Sequence, residues 1–252
     1  MTLSLRNEFH RIVHNFLESS NFQESFSHLD ELCEFITASP SIVLEESSSV
    51  PVSDLVAKTA EIDAWTEKNY ASEWLTHIDE GTEYPWLLTD YYTSEYDFIT
   101  SHMDTPPQKI AYFGHGSISA LTSILLDNLP DVHIDMFDID AETSRTCQKI
   151  LGSLHPDAKI DFHIGDIEDQ ELTSGYDLMI VTNAPVPFFE NRIHAGEHPI
   201  PVKNIFIRSS TPQAAIIYPR MDTNELGMLA DRNLNVMADP VYNIHEMLML
   251  TQ

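Results

Sequence analysis

Two glycines, one aspartate and the strand ends that carry them are the residues best placed to do chemistry in this chain. The stretch 109–140 holds them. Residues 110–113 are apolar and predict a buried strand; Gly114-His115-Gly116 then predicts a tight turn. Between Ser117 and Leu129, apolar residues Ile118, Leu121, Ile124, Leu125 and Leu129 follow helical spacing, with Ser117 or Ser119 available as a cap and Pro130 as a stop. Residues 132–137 predict a second strand, closing on Asp138. Glycine lets a backbone come close to a ligand, and an acid at the second strand's end can hold both ribose hydroxyls of an adenosine. Ser119 stands where the third glycine of Gly-x-Gly-x-x-Gly belongs, which favours an adenosine without phosphates over a pyrophosphate.

Further groups fall at later strand ends. Residues 160–164 predict a strand followed by Gly165-Asp166-Ile167, and residues 176–182 predict one followed by Asn183. Gly114, Asp138, Asp166 and Asn183 therefore gather on one edge of a parallel sheet, where ligands of such folds bind. Ser117 and Ile139 flank the turn and the acid. Asp166 either accepts from an adenine amino group or caps a helix. Gly-x-Gly with an acid one strand later is the pattern of S-adenosylmethionine enzymes, and the same pattern also fits a ligand-free βαβ turn.

The elements that must position these groups are of two kinds. Apolar residues at helical spacing predict helices over 7–19, 22–36, 55–75 and 86–102, with 38–52 as a loop and Thr105-Pro106-Pro107 as a linker. After residue 140 a helix over 141–154 is followed by strands over 160–164, 176–182, 203–208, 214–218, 234–237 and 245–250. The expected class is α/β: an all-helical N-terminal domain over 1–104 and a Rossmann-like S-adenosylmethionine-binding domain over 105–252.

Charge and composition narrow the partners. The formal net charge is -27, with 13 basic residues in 252, which argues against nucleic acid and anionic membrane; it serves solubility first and also suits small cationic ligands. There is no run of eighteen apolar residues, residues 1–6 lack the core of a signal peptide, and there are two cysteines. A cytoplasmic protein with free thiols is expected. Twelve histidines are scattered, with no His-Glu-x-x-His and no paired cysteines, so no protein-bound metal is expected. A homodimer is allowed, though no residue specifies it.

The chain resembles nicotianamine synthase. The resemblance is carried by Phe113-Gly114-His115-Gly116, Leu121-Thr122-Ser123-Ile124 and Phe137-Asp138-Ile139-Asp140, then Ile207-Arg208-Ser209-Ser210, Ile217-Tyr218-Pro219 and the stretch 239–250. Upstream it includes Tyr84-Pro85-Trp86, Tyr91, Tyr92 and Glu95-Tyr96. The turn departs from the plant form Gly-x-Gly-Pro-x-Pro; it lacks proline and is longer by one residue. The resemblance implies transfer of the 3-amino-3-carboxypropyl (2-aminobutanoyl) group of S-adenosylmethionine with release of methylthioadenosine. Its bacterial opine-metallophore branch, of the staphylopine and pseudopaline type, implies histidine (D or L) as acceptor and an opine dehydrogenase downstream. A small-molecule methyltransferase on the same fold is the alternative. A non-catalytic nucleoside-binding or metal-chaperone protein is the reading from another class.

An amine acceptor must lose a proton before attack. The resemblance places Glu95 for that role, against a solvated helix glutamate, with Tyr92 on its face three residues earlier. Tyr84 and Tyr96 are expected near the acceptor. Arg208 either binds a donor or acceptor carboxylate or closes an internal salt bridge. Tyr218 either lines the pocket or packs beneath it. His115 either touches donor or acceptor or faces solvent.

Overall fold

Phe9, Ile12, Val13 and Phe16 are all buried, so α1 (Thr2–Glu18) turns that one face inward as its spacing requires. The structure, a computed structural model, describes residues 2–81, 89–165, 175–182, 202–218, 220–221, 233–238 and 244–251. Helix α2 (Phe22–Ala38) starts at Asn21, whose side chain accepts the Glu24 amide at 2.9 Å. The loop expected over 38–52 instead holds α3 (Pro40–Glu46) and a 3-10 turn, Ser47–Ser49. Pro40 in the first turn is pre-set for a helix, and Ile42 and Val43 give it an apolar face to bury. Helix α4 (Val52–Glu80) runs longer than expected and stops at Gly81, which adopts φ +65 and donates its amide to His77 and Ile78 carbonyls. Helix α5 spans Thr89–Ser101.

Among the described residues seven strands form, β1 (Lys109–Phe113), β2 (His133–Asp138), β3 (Lys159–Ile164), β4 (Tyr176–Val181), β5 (Val202–Ser210), β6 (Asn233–Ala238) and β7 (His245–Thr251), with α6 (Ala120–Asn128) and α7 (Ala141–Leu154) as crossovers. Their order is β3-β2-β1-β4-β5-β7-β6. The pairs β1–β2, β2–β3, β1–β4 and β4–β5 are parallel; β7 runs antiparallel between β5 and β6. The central strands are buried on both faces, which is why they read as continuous apolar runs. The order turns back between β1 and β4, a switch point that opens a crevice at the carboxyl ends.

Residues 214–218 do not extend as a strand. Ala214–Ile216 form a 3-10 turn, and Ala214, Ile216 and Ile217 pack into the core of the N-terminal helices with Phe9, Phe16 and Leu55. The apolar run is buried by a neighbouring layer, so its side chains satisfy a strand-like pattern without pairing. Helix α5 places Phe98 and Ile99 in the sheet core beside Ile110 and Phe206. Helix α4 meets α7 through Ala71, Trp74 and Ile150, which hangs its middle over the sheet's ligand edge. Among the described residues no helix is long and apolar enough to cross a membrane.

Candidate functional site

The glycine turn is built by its neighbours. The Gly114 amide donates to the Phe137 carbonyl at 2.9 Å, and Thr182 Oγ1 donates to the Gly114 carbonyl at 2.6 Å. Gly114 and Gly116 adopt φ +68 and +70, where a side chain is strained. Ser119 is the one described non-glycine residue with positive φ, at +39. Neither Ser117 nor Ser119 caps α6 by a side chain: Ser119 Oγ lies 2.7 Å from Thr122 Oγ1, and the Ser117 amide is taken by another helix.

That helix is α4, and the residue is Glu67. Its carboxylate accepts the Ser117 and Ile118 amides and lies where a Gly116 Cβ would stand. Burial raises its pKa, the two amides and Arg208 pull it down, and Asp138 pushes it up. Two consequences can be measured. Gly116→Ala is expected to destabilise the protein by about 1–2 kcal/mol through the left-handed backbone alone. Gly152→Ala, in open space on helix α7, is expected to stabilise it by about 0.5–1 kcal/mol. Urea denaturation of both variants checks the opposite signs.

Two cavities meet at this turn. The first, about 430 Å³, is bordered by Phe113, Gly165, Ile139, Asp138 and Thr143, with Ala64 and Lys68 from α4. Asp138 Oδ2 accepts the Gly116 amide at 3.3 Å and Oδ1 accepts the Asp140 amide at 3.0 Å, so its carboxylate is held at the strand end. Ile139 beside it is 70% exposed, an unpaired apolar face at a ligand edge. Asp140 caps α7 through the Glu142 amide at 2.8 Å and pairs with Lys68 at 3.3 Å, which ties α4 to this rim.

The second cavity, about 570 Å³, is bordered by Asp63, Tyr70 and Trp74 of α4, Tyr91 and Tyr92 of α5, and Arg208, Tyr218 and His245. Glu67, Gly114 and Gly116 belong to both cavities. His115 also borders the second. It is buried, its Nδ1 donates to the Gly116 carbonyl at 2.6 Å, and its Nε2 has no partner among the described residues. Burial lowers its pKa although Asp138 and the carbonyl oppose this, so the ring is neutral at pH 7. His245 is likewise neutral, pushed down to about 3 by burial and by Arg208.

Glu95 takes a different place from the one expected of a base. It is fully buried, and both carboxylate oxygens accept from Arg208, Nε and Nη2, at 2.6 Å each. The guanidinium stacks over the Tyr91 and Tyr92 rings at 5.5 and 5.4 Å. Burial works against the Arg208 charge, yet Glu95 and the nearby tyrosines raise its pKa well above the ordinary value. Arg208 thus closes the internal salt bridge, while also bordering the second cavity. Both Glu95 oxygens are thus engaged by Arg208, and the pair fixes that guanidinium at the cavity's border. Tyr92 borders the cavity, whereas Tyr96 packs partly buried against the sheet core and borders neither cavity. Tyr218 lines the cavity with Asp63, and its hydroxyl pulls that acid's pKa down. Asp166, Ile167, Asn183 and Tyr84 lie outside the described residues.

Glu67 and Asp63 were missed by reading the sequence for strand ends. Their signal was two acids four residues apart on one face of a long helix, which an acidic chain repeats often. Among the described residues, one His/Asp group is close enough to share an ion: His133, Asp135 and Asp161. It lies toward the strands' starts and is internally paired, His133 with Asp161 at 2.8 Å and Asp135 with His163 at 2.9 Å and Tyr176 at 2.8 Å.

No protein-family model matches the chain. The chain is similar to nicotianamine synthase 9 of Hordeum vulgare, 25% identical over 187 residues, covering 68% of this chain and 54% of that protein. It is also similar to nicotianamine synthase 1 of Arabidopsis thaliana, 28% identical over 141 residues, covering 52% and 43%. The chain spans about half the length of these curated relatives. Among solved structures it matches a glutamate-to-glutamine mutant of MtNAS in complex with S-adenosylmethionine, with TM-score 0.71, 16% identity and coverage of 98% of this chain and 97% of that one. MtNAS in complex with MTA and tNA matches with TM-score 0.70 over the same shares. The fold is therefore that of MtNAS, an α/β sheet domain with an N-terminal helical region.

Proposed function

We propose that this protein transfers the 3-amino-3-carboxypropyl group of S-adenosylmethionine to the amine of histidine and releases methylthioadenosine. The observation that carries the reading is the pair of cavities joined at Gly114–Gly116 and Glu67. The first has the features of an adenosine site: Asp138 for the ribose hydroxyls, Ile139 as an apolar face for adenine, and a glycine turn that admits the sulfur closely. The second has room for the donor's amino-acid arm together with an acceptor. The likeness to nicotianamine synthases supports the group transferred.

In this reading the acceptor nitrogen attacks the γ-carbon, the carbon–sulfur bond breaks, and its electron pair neutralises the sulfonium. The leaving molecule keeps the adenosine cavity. The amine's proton goes to a carboxylate, and Glu67 is the acid that borders both cavities at the glycine turn. Most of the rate comes from alignment, because the sulfonium is already a good leaving group. Arg208, fixed by Glu95, presents a cation to the carboxylate of donor or acceptor. The product would serve an opine-type metallophore pathway, with a dehydrogenase that reductively condenses it with a keto acid as the next step.

Mass spectrometry after incubation with S-adenosylmethionine and each histidine enantiomer tests this. Methylthioadenosine with a histidine adduct heavier by one aminobutanoyl unit is the expected result. Adenosylhomocysteine with a methylated product would make the protein a methyltransferase instead.

A further inference from the structure

We propose that Asp63 and Tyr218 form a seat for the acceptor's imidazole ring, in the part of the second cavity that the first does not share. The inference rests on the transfer reading and adds the group that selects the acceptor. Asp63 lies one helical turn before Glu67 on α4, so the two carboxyls face the same way. Both border the second cavity; only Glu67 borders the first. Arg208 is already matched by Glu95, and the bordering histidines 115 and 245 are neutral. Two acids thus face this space without a basic partner of their own among the described residues that border it.

An acceptor with two basic nitrogens answers that pattern: its amine toward Glu67 and its second basic group toward Asp63. In histidine the amine and the nearer ring nitrogen are four bonds apart, a span comparable with the roughly 5–6 Å between side chains one turn apart. Phe26, Tyr70 and Trp74 border the same space and offer flat apolar faces to a flat cationic ring. The Tyr218 hydroxyl borders the same space and pulls the Asp63 pKa down against its burial.

The titration of the seat sharpens the test. Burial and then Glu67 push Asp63 up to about 7, with Tyr218 pulling it part of the way back. The other groups around the seat are Asp30 and Cys33 of α2, with the thiol pushed up to about 12, and the neutral His245. A free imidazole titrates at about 6.5. Near neutral pH the carboxyl and the ring therefore share one proton between them. At lower pH the carboxyl is neutral and no longer offsets the ring's charge; at higher pH the ring is neutral, and the charge-assisted bridge weakens.

Calorimetry with histidine, and with glutamine as a neutral acceptor of similar size, decides the matter when methylthioadenosine fills the first cavity. Wild-type affinity for histidine should peak between about pH 6 and 7.5, and that for glutamine should show no such peak. Asp63→Asn should weaken histidine about tenfold, flatten its pH profile, and change glutamine less than twofold. Tyr218→Phe, which keeps the ring's packing, should move histidine the same way by a smaller factor. Equal losses for both ligands, or an unchanged histidine profile in Asp63→Asn, would overturn the seat. Absence of methylthioadenosine release with any amine would instead sink the transfer reading, and the histidine–glutamine contrast would still judge the seat.

Discussion

Glu67→Gln is expected to lower turnover at least about a hundredfold while leaving donor affinity within a few-fold. The amide oxygen of glutamine can still accept the Ser117 and Ile118 amides, so the glycine turn keeps its support. What disappears is a group able to take the acceptor's proton beside the transfer point. Single-turnover formation of methylthioadenosine reads the chemical step, and calorimetry reads donor binding. Unchanged turnover would remove Glu67 from the mechanism and leave the proton to solvent or to another group of the second cavity. Alkaline pH should partly rescue the variant, because free acceptor amine then becomes more abundant.

Glu95→Ala is expected to act first on stability. It leaves a guanidinium that is 13% exposed without the carboxylate that matches it. Breaking a buried pair by removing one partner costs about 3–5 kcal/mol. For a chain of this size that corresponds to a melting-point drop on the order of 10 °C. Replacing both partners with apolar residues, Glu95→Leu with Arg208→Met, should return most of that stability, since no charge is then left alone. Activity should not return with it if Arg208 holds a substrate carboxylate. A melting point within about 2 °C of wild type for Glu95→Ala would show that solvent reaches Arg208, and the positioning role would fall.

These two variants mark where sequence reading and structure part. The turn and its acid were legible because they are local. The apolar run 110–113, the glycines and Asp138 fall within one βαβ unit, whose geometry follows from a buried strand, a helix and a second strand. The same periodicity predicted α7 at its observed ends, Ala141–Leu154, and placed strands where β4 and β5 run. Local pattern failed where an apolar run had two ways to be buried. Residues 214–218 have strand-like composition, and the helical layer, rather than a pairing strand, buries them.

The chemistry of the acidic groups was decided by tertiary structure alone. Glu95 and Arg208 are 113 positions apart, and Glu67 meets Ser117 across 50. No spacing rule reports such pairs, because they form only when α4 and α5 dock on the finished sheet. One of 40 acidic residues becomes a clamp, another a neighbour of the glycine turn and a third a carboxyl titrating near 7. By itself the sequence determined that a βαβ glycine turn would face an acid at a sheet edge. Which carboxylates that edge would see depended on desolvation and on distances that exist only in the folded chain.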